Sequence, residues 1–129
     1  MERFKKVCVI DDDELFVFVA KKQIEEVDMS EEIIDFPDGK DAFEYLQKLD
    51  ESQWPEIIFL DINMTFMNGW EFLESIKSLK LSKHLNIYMT SSSIDPEDYK
   101  RAEADLNVKE FIAKPLSTKK LRDIINHYK

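Results

Sequence analysis

Apolar residues along this chain fall into two alternating patterns. Val7, Cys8, Val9 and Ile10 form a short continuous run that stops at Asp11, Asp12 and Asp13, and Ile57, Ile58, Phe59 and Leu60 form another that stops at Asp61. Short β-branched and aromatic runs of this kind read as strands buried on both faces, as in a parallel sheet. Residues 33–36, 87–90 and 108–113 read as three further strands, which end at Pro37-Asp38-Gly39, at Ser91-Ser92-Ser93 and at Lys114-Pro115. Between the strands the apolar positions change to helical spacing. Leu15, Phe16, Val19, Ile24 and Val27 mark the inner face of a first helix, Ala42, Phe43, Leu46 and Leu49 a second, and Trp70, Phe72, Leu73, Ile76 and Leu79 a third. Tyr99, Ala102 and Leu106 line a fourth, the least apolar of the set, and Leu121, Ile124, Ile125 and Tyr128 a fifth. Asp12 or Asp13, Asp95 followed by Pro96, and Ser117 suit the starts of helices, and Asn68-Gly69 is a turn that opens the third. Residues 50–55 and 80–86 read as loops.

Strands alternating with helices imply a parallel sheet covered on both faces. The expected fold class is α/β: a flavodoxin-like, doubly wound sheet of five parallel strands in the order 2-1-3-4-5 with five helices, in three αβα layers. The strongly apolar first and third strands are then central, and the short second strand lies at an edge. In such a sheet ligands bind beyond the carboxyl ends of the strands, at the switch point between strands 1 and 3. Those are the two strands that end in aspartates.

Length and composition narrow the picture further. The 129 residues fit one domain over 1–129, with no repeat or linker and no output domain expected after the last helix. A formal charge of −9, from 18 basic and 27 acidic residues, argues against a general nucleic-acid or anionic-membrane surface. Cys8 is the only cysteine, which excludes an intrachain disulfide and a cysteine-based zinc site and fits a reducing compartment. No apolar signal region follows Arg3, Lys5 and Lys6, and the longest apolar run, residues 15–20, is far too short to span a bilayer. A cytoplasmic location is expected. Gly39 and Gly69 are the only glycines, so no glycine-rich phosphate loop exists. His84 and His127 lie far apart and read as surface residues. The five methionines read as core filling, with Met64 and Met67 flanking the Asp61 region. Lys119, Lys120 and Arg122 make a local basic patch on the last helix, read as a solvated face or a docking surface.

The chemistry lies in what this topology gathers at one sheet edge: acids after strands 1 and 3, hydroxyls after strand 4 and a lysine after strand 5. Carboxylates close together repel unless a cation settles among them. Oxygen-only ligands favour a hard ion such as Mg²⁺. A carboxylate can also act as a nucleophile and form an acyl phosphate. Phosphoryl transfer needs positioning and neutralisation of the equatorial oxygens, to which Mg²⁺, the Lys114 ammonium and the Ser91 hydroxyl would each contribute.

With VCVIDDD at 7–13, IIFLDINM at 57–64 followed by Gly69, MTSSS at 89–93 and FIAKP at 111–115, the chain resembles a response regulator receiver domain of two-component signalling over essentially its whole length. The resemblance implies a stand-alone, chemotaxis-regulator-like switch that takes a phosphoryl group on Asp61 from a sensor histidine kinase or phosphotransfer protein. It would then change its surface toward a downstream effector protein. Its own chemistry would be limited to Mg²⁺-dependent self-phosphorylation and slow self-dephosphorylation, in a monomer or weak homodimer. Asp11 and Asp12 would form the acidic pair that holds Mg²⁺ with Asp61 and the backbone carbonyl of Asn63. Lys114 would pair with the phosphoryl group, and its bond to Pro115 would be cis. Phe111 matches the aromatic switch position. The switch hydroxyl is Thr90 or Ser91, and Ser91 suits the spacing from Asp61 better. Asn63 and Ser93 stand where the family tunes dephosphorylation.

Two positions depart from the family. Thr65-Phe66 replaces the usual Pro-Gly, which bears on loop conformation and partner contact, and the switch aromatic is Phe rather than Tyr. Two other readings are a degenerate receiver that binds partners without phosphorylation and a phosphohydrolase with an aspartyl nucleophile. The second would need an acid two residues after Asp61, where Asn63 stands.

Overall fold

The computed structural model describes residues 3–93 and 95–128. Its sheet has five parallel strands in the order β2-β1-β3-β4-β5. They are β1 (Phe4–Ile10), β2 (Ser30–Phe36), β3 (Ile57–Asp61), β4 (Ile87–Ser91) and β5 (Val108–Ala113). The helices between them are α1 (Glu14–Glu26), α2 (Gly39–Leu46), α3 (Gly69–Lys77), α4 (Pro96–Glu103) and α5 (Thr118–His127). The expected flavodoxin-like order therefore holds. β3 and β4 each run one residue past the apolar run, so Asp61 and Ser91 are the last residues of their strands. β2 begins three residues before the expected Ile33, because Ser30 and Glu32 continue the pairing with β1.

Alternation along the central strands splits the core in two. Val7, Val9, Ile57 and Phe59 face Ala20 and Ile24 of α1 and Leu121, Ile124 and Ile125 of α5. Cys8, Ile10, Ile58 and Leu60 face Ala42 and Leu46 of α2, Phe72, Leu73 and Ile76 of α3, and Ala102 of α4. All five residues of β3 are buried, which is why that run shows no polar alternation. Full burial of side chains of this size stabilises the fold by about 1.5–3 kcal/mol each, so the sheet rather than any one helix anchors the chain.

The helix starts follow their capping residues. Asp13, not Asp12, caps α1, and its carboxylate accepts from the N–H groups of Leu15 and Phe16. Asp38 caps α2, Asp95 caps α4 with Pro96 in its first turn, and Ser117 caps α5. Asn68 and Glu71 form a reciprocal capping box at the start of α3.

The inner face of α1 is corrected. Leu15 is 71% exposed and Val19 42%, whereas Phe16, Val17 and Val27 pack against the core beside Ala20 and Ile24. Residues 15–20 are apolar all round the helix, so periodicity could not choose the buried side. Leu106 is also corrected: it lies beyond α4 and is exposed, as Tyr99 is in part, leaving Ala102 as the buried anchor of that helix. The loop at 50–55 contains a single 3-10 turn, Glu51–Gln53, and buries Trp54. Met29, Met64 and Met89 are core residues and Met67 packs against the core, while Met1 lies outside the described residues. Both histidines are exposed. In the basic patch Lys119 pairs with Asp123 and Lys120 with Glu110, which neutralises two of its three cations.

Candidate functional site

The carboxyl ends of β1, β3 and β5 bring Asp11, Asp61 and Lys114 together. Asp11 and Asp61 are 2% and 4% exposed, while Asp12, on the turn into α1, is exposed. One carboxylate oxygen from each of Asp11, Asp12 and Asp61 lies within 4.8 Å of the other two. The Lys114 ammonium sits 2.8 Å from Asp11 Oδ2 and 3.5 Å from Asp61 Oδ1. The buried Asp11 Oδ2 is held by the Lys114 ammonium at 2.8 Å and meets no further donor. The other oxygen of Asp11 accepts the Asp13 N–H at 2.9 Å and ties the acidic turn to the end of β1.

Burial pushes the Asp61 carboxyl up to about 6, and the Asp11 charge pushes in the same direction. Lys114 and the Asn63 backbone N–H pull it back, and the Asp12 charge adds a smaller upward push. Burial pulls Lys114 down, but the Asp11 and Asp61 carboxylates outweigh it and hold the ammonium above the ordinary lysine value. Among the described residues, two buried carboxylates and a third at the rim share one ammonium, which leaves the site short of positive charge. Three carboxylates gathered around one ammonium, and the all-oxygen character of the cluster, fit a small hard cation such as Mg²⁺.

The two hydroxyls at the end of β4 diverge. Thr90 is paired with Asp61 and Ile112 in the sheet and so lies on the α1/α5 side, where its buried hydroxyl makes no hydrogen bond. Ser91 lies on the α2–α4 side with Met89 and Phe111. Its hydroxyl turns back on its own loop, donating to the Ser93 carbonyl at 2.7 Å and accepting from the Ser93 N–H at 3.2 Å. Phe111 is half-buried and packs against Tyr99 of α4, with ring centroids 6.0 Å apart. Asn63 and Ser93 are both exposed at the rim. The Lys114-Pro115 bond is cis.

The loop from β3 to α3 rests on close backbone contacts. A Cβ at Gly69 would lie 2.7 Å from the Asp61 carbonyl oxygen, and one at Gly39 would lie 2.5 Å from the Met67 carbonyl oxygen. Only glycine lets α3 approach the end of β3, and α2 the loop at Met67, so closely. Where Thr65-Phe66 replaces the usual Pro-Gly, the Thr65 hydroxyl reaches toward Asp12 Oδ2 at 3.5 Å, and Phe66 is 65% exposed. Two residues of the expected core carry contacts that the sequence does not show. Phe16 packs on the inner face of α1, and its ring also lies under Lys114, with Nζ 4.4 Å from the centroid. Trp70 is a core residue whose indole N–H also donates to Asp98 at 3.0 Å and whose ring carries the Arg101 guanidinium at 4.3 Å, clasping α3 to α4.

A doubly wound α/β protein whose switch point holds a carboxylate cluster and one lysine is the class that fold and site define. The chain belongs to the response regulator receiver domain family, which it matches over residues 7–126. It is thus a receiver domain of two-component signalling. It is 31% identical over 122 residues to a protein-glutamate methylesterase/protein-glutamine glutaminase from Methanococcoides burtonii, an alignment covering 94% of this chain and 33% of that one. The chain therefore spans about a third of the length of that relative. Among solved structures, a two-component response regulator from Cytophaga hutchinsonii is 31% identical, with a TM-score of 0.84 over 98% of this chain and 99% of that one. The phosphorylated cyanobacterial phytochrome response regulator RcpA is 26% identical, with a TM-score of 0.75 over 96% and 90% of the two chains. Among the described residues no helix is long and apolar enough to cross a membrane.

Proposed function

We propose that Asp61 accepts a phosphoryl group from a phosphohistidine of a sensor kinase or phosphotransfer protein, and that the phosphorylated state changes the surface offered to an effector protein. The observation that carries this reading is the buried Asp61 at the end of β3, flanked by Asp11 and facing the one ammonium of Lys114. A carboxylate oxygen of Asp61 attacks phosphorus, a P–O bond forms as the P–N bond to the imidazole breaks, and the imidazole leaves with a proton from solvent. Asp11, Asp12, Asp61 and the Asn63 carbonyl would hold Mg²⁺, which when bound supplies charge neutralisation for the phosphoryl oxygens. Lys114 sits within reach of both carboxylates and orients the same oxygens. Ser91 would exchange its bond to the Ser93 carbonyl for a phosphoryl oxygen, drawing the start of the β4–α4 connection inward. Phe111, on the same side of the sheet, would repack against Tyr99. Support also comes from the phosphorylated state of RcpA.

Partner identity, a cytoplasmic location and a monomeric or weakly dimeric state belong to this proposal. Its single-domain organisation does too, and is checked by the mass of the native protein isolated from its source. The central test is intact mass after incubation with a small-molecule phosphodonor, with and without Mg²⁺, for the wild type and Asp61→Asn. One Mg²⁺-dependent, base-labile phosphoryl adduct is expected, absent from the variant. An Asp61→Asn protein that still takes the group would overturn the assignment of Asp61. No adduct on the wild type would overturn the phospho-acceptor reading and favour a module that binds without phosphorylation.

A further inference from the structure

The Lys114 ammonium has three N–H donors and two carboxylate neighbours, at 2.8 and 3.5 Å. Its side chain is only 14% exposed, so the third direction cannot be left freely to water. The Phe16 ring lies there, its centroid 4.4 Å from Nζ, well inside the range in which a ring face attracts a cation. The ring is held in place by a closed circuit of contacts. Asp11 accepts the Asp13 N–H, Asp13 accepts the N–H groups of Leu15 and Phe16, Phe16 covers Lys114, and Lys114 returns to Asp11. The first turn of α1, the acidic turn and the lysine at the end of β5 therefore share one geometry.

We propose that Phe16 is a positioning residue: its ring face holds the Lys114 ammonium over Asp61, in the place from which it meets the incoming phosphoryl oxygens. This deepens the phospho-acceptor reading and rests on it. A leucine at position 16 keeps an apolar side chain but removes the negative ring face. The ammonium is then free to lean toward solvent or remain on Asp11, and it neutralises the phosphoryl oxygens less well. A tyrosine keeps the ring face and hence the function.

The test pairs two measurements on the full chain. The first is a double-mutant cycle in urea unfolding with Phe16→Leu, Lys114→Met and both together, which needs no phosphorylation. A coupling of roughly three- to thirty-fold in the unfolding equilibrium is expected from a cation–ring contact that is largely shielded from water. The second is the rate of self-phosphorylation with a small-molecule phosphodonor at saturating Mg²⁺. A several-fold fall is expected for Phe16→Leu, with Phe16→Tyr close to the wild type. Additive substitutions in the cycle would overturn the contact. Coupling with an unchanged phosphorylation rate would overturn the positioning role and leave Phe16 as packing alone. A slowed Phe16→Tyr protein would also overturn it. If the wild type takes no phosphoryl group, the function of Asp61 is what falls, while the cycle still decides whether the ring holds the lysine.

Discussion

Asp61→Asn should make the cation-free protein more stable, by an amount that depends on pH. Asp61 is 4% exposed, and burial with the Asp11 charge raises its carboxyl from 3.8 to about 6. Between those values the folded chain holds a proton that the unfolded chain has released, so stability falls as pH rises through that window and is flat above it. Each tenfold step in a proton equilibrium is worth about 1.4 kcal/mol, so the ionised carboxylate costs the fold about 3 kcal/mol above pH 7. Asparagine has nearly the shape of the protonated acid and no charge to lose. In EDTA the variant should match the wild type near pH 4 and exceed it by about 3 kcal/mol at pH 8. For a chain of this size that is roughly 10 °C in Tm. Urea melts of both proteins at each pH measure the difference, in which the titration of all other groups largely cancels. Mg²⁺ should narrow the gap at pH 8 by stabilising the wild type through mass action. Equal stabilities of the two proteins from pH 4 to pH 8 in EDTA would refute the claim that Asp61 is held at an energetic cost.

Other outcomes follow from single contacts. Gly69→Ala would drive a Cβ to 2.7 Å from the Asp61 carbonyl oxygen and should destabilise the fold by about 1–3 kcal/mol in urea melts, while slowing phosphorylation because the end of β3 must shift. Trp70→Phe removes the N–H donated to Asp98 and should cost about 1 kcal/mol, with faster amide exchange confined to α4. Phe59→Ala empties the centre of the α1/α5 side, where the ring is 1% exposed, and should cost about 3–5 kcal/mol in denaturation. Lys114→Ala should take up the phosphoryl group more slowly, reach much of the wild-type extent of Asp61 modification on long incubation, and lose the linked change around Ser91 and Phe111, read from amide chemical shifts with and without phosphodonor.

The order of elements was legible in the residues because fully buried strands must be continuously apolar and the helices between them must carry an apolar stripe. Runs at 7–10 and 57–60 therefore announced β1 and β3, and the acids that ended them announced the switch point. The lysine before Pro115 and the hydroxyls after Met89 fell on the same sheet edge once the strand order was inferred. Local chemistry was equally readable at Asp95-Pro96 and Ser117, where a cap acts on its own next turn.

Other features belong to the tertiary structure. Leu15 and Val19 could not be told from Phe16 and Ala20 by periodicity, since residues 15–20 are apolar on every side. Only docking against the sheet and α5 decided which side is buried. The ring of Phe16 under Lys114 and the guanidinium of Arg101 over Trp70 join side chains from different elements, whose distance and angle depend on how the layers pack. The raised carboxyl of Asp61 is of the same kind. Its sequence neighbours are ordinary, and its electrostatics come from burial, from Asp11 just past β1 and from Lys114 just past β5. Patterning in the sequence sets which residues are apolar and in what order, a short-range property. Desolvation and charge proximity are set by three-dimensional contact, so the chemistry of the site arose only when the strands aligned.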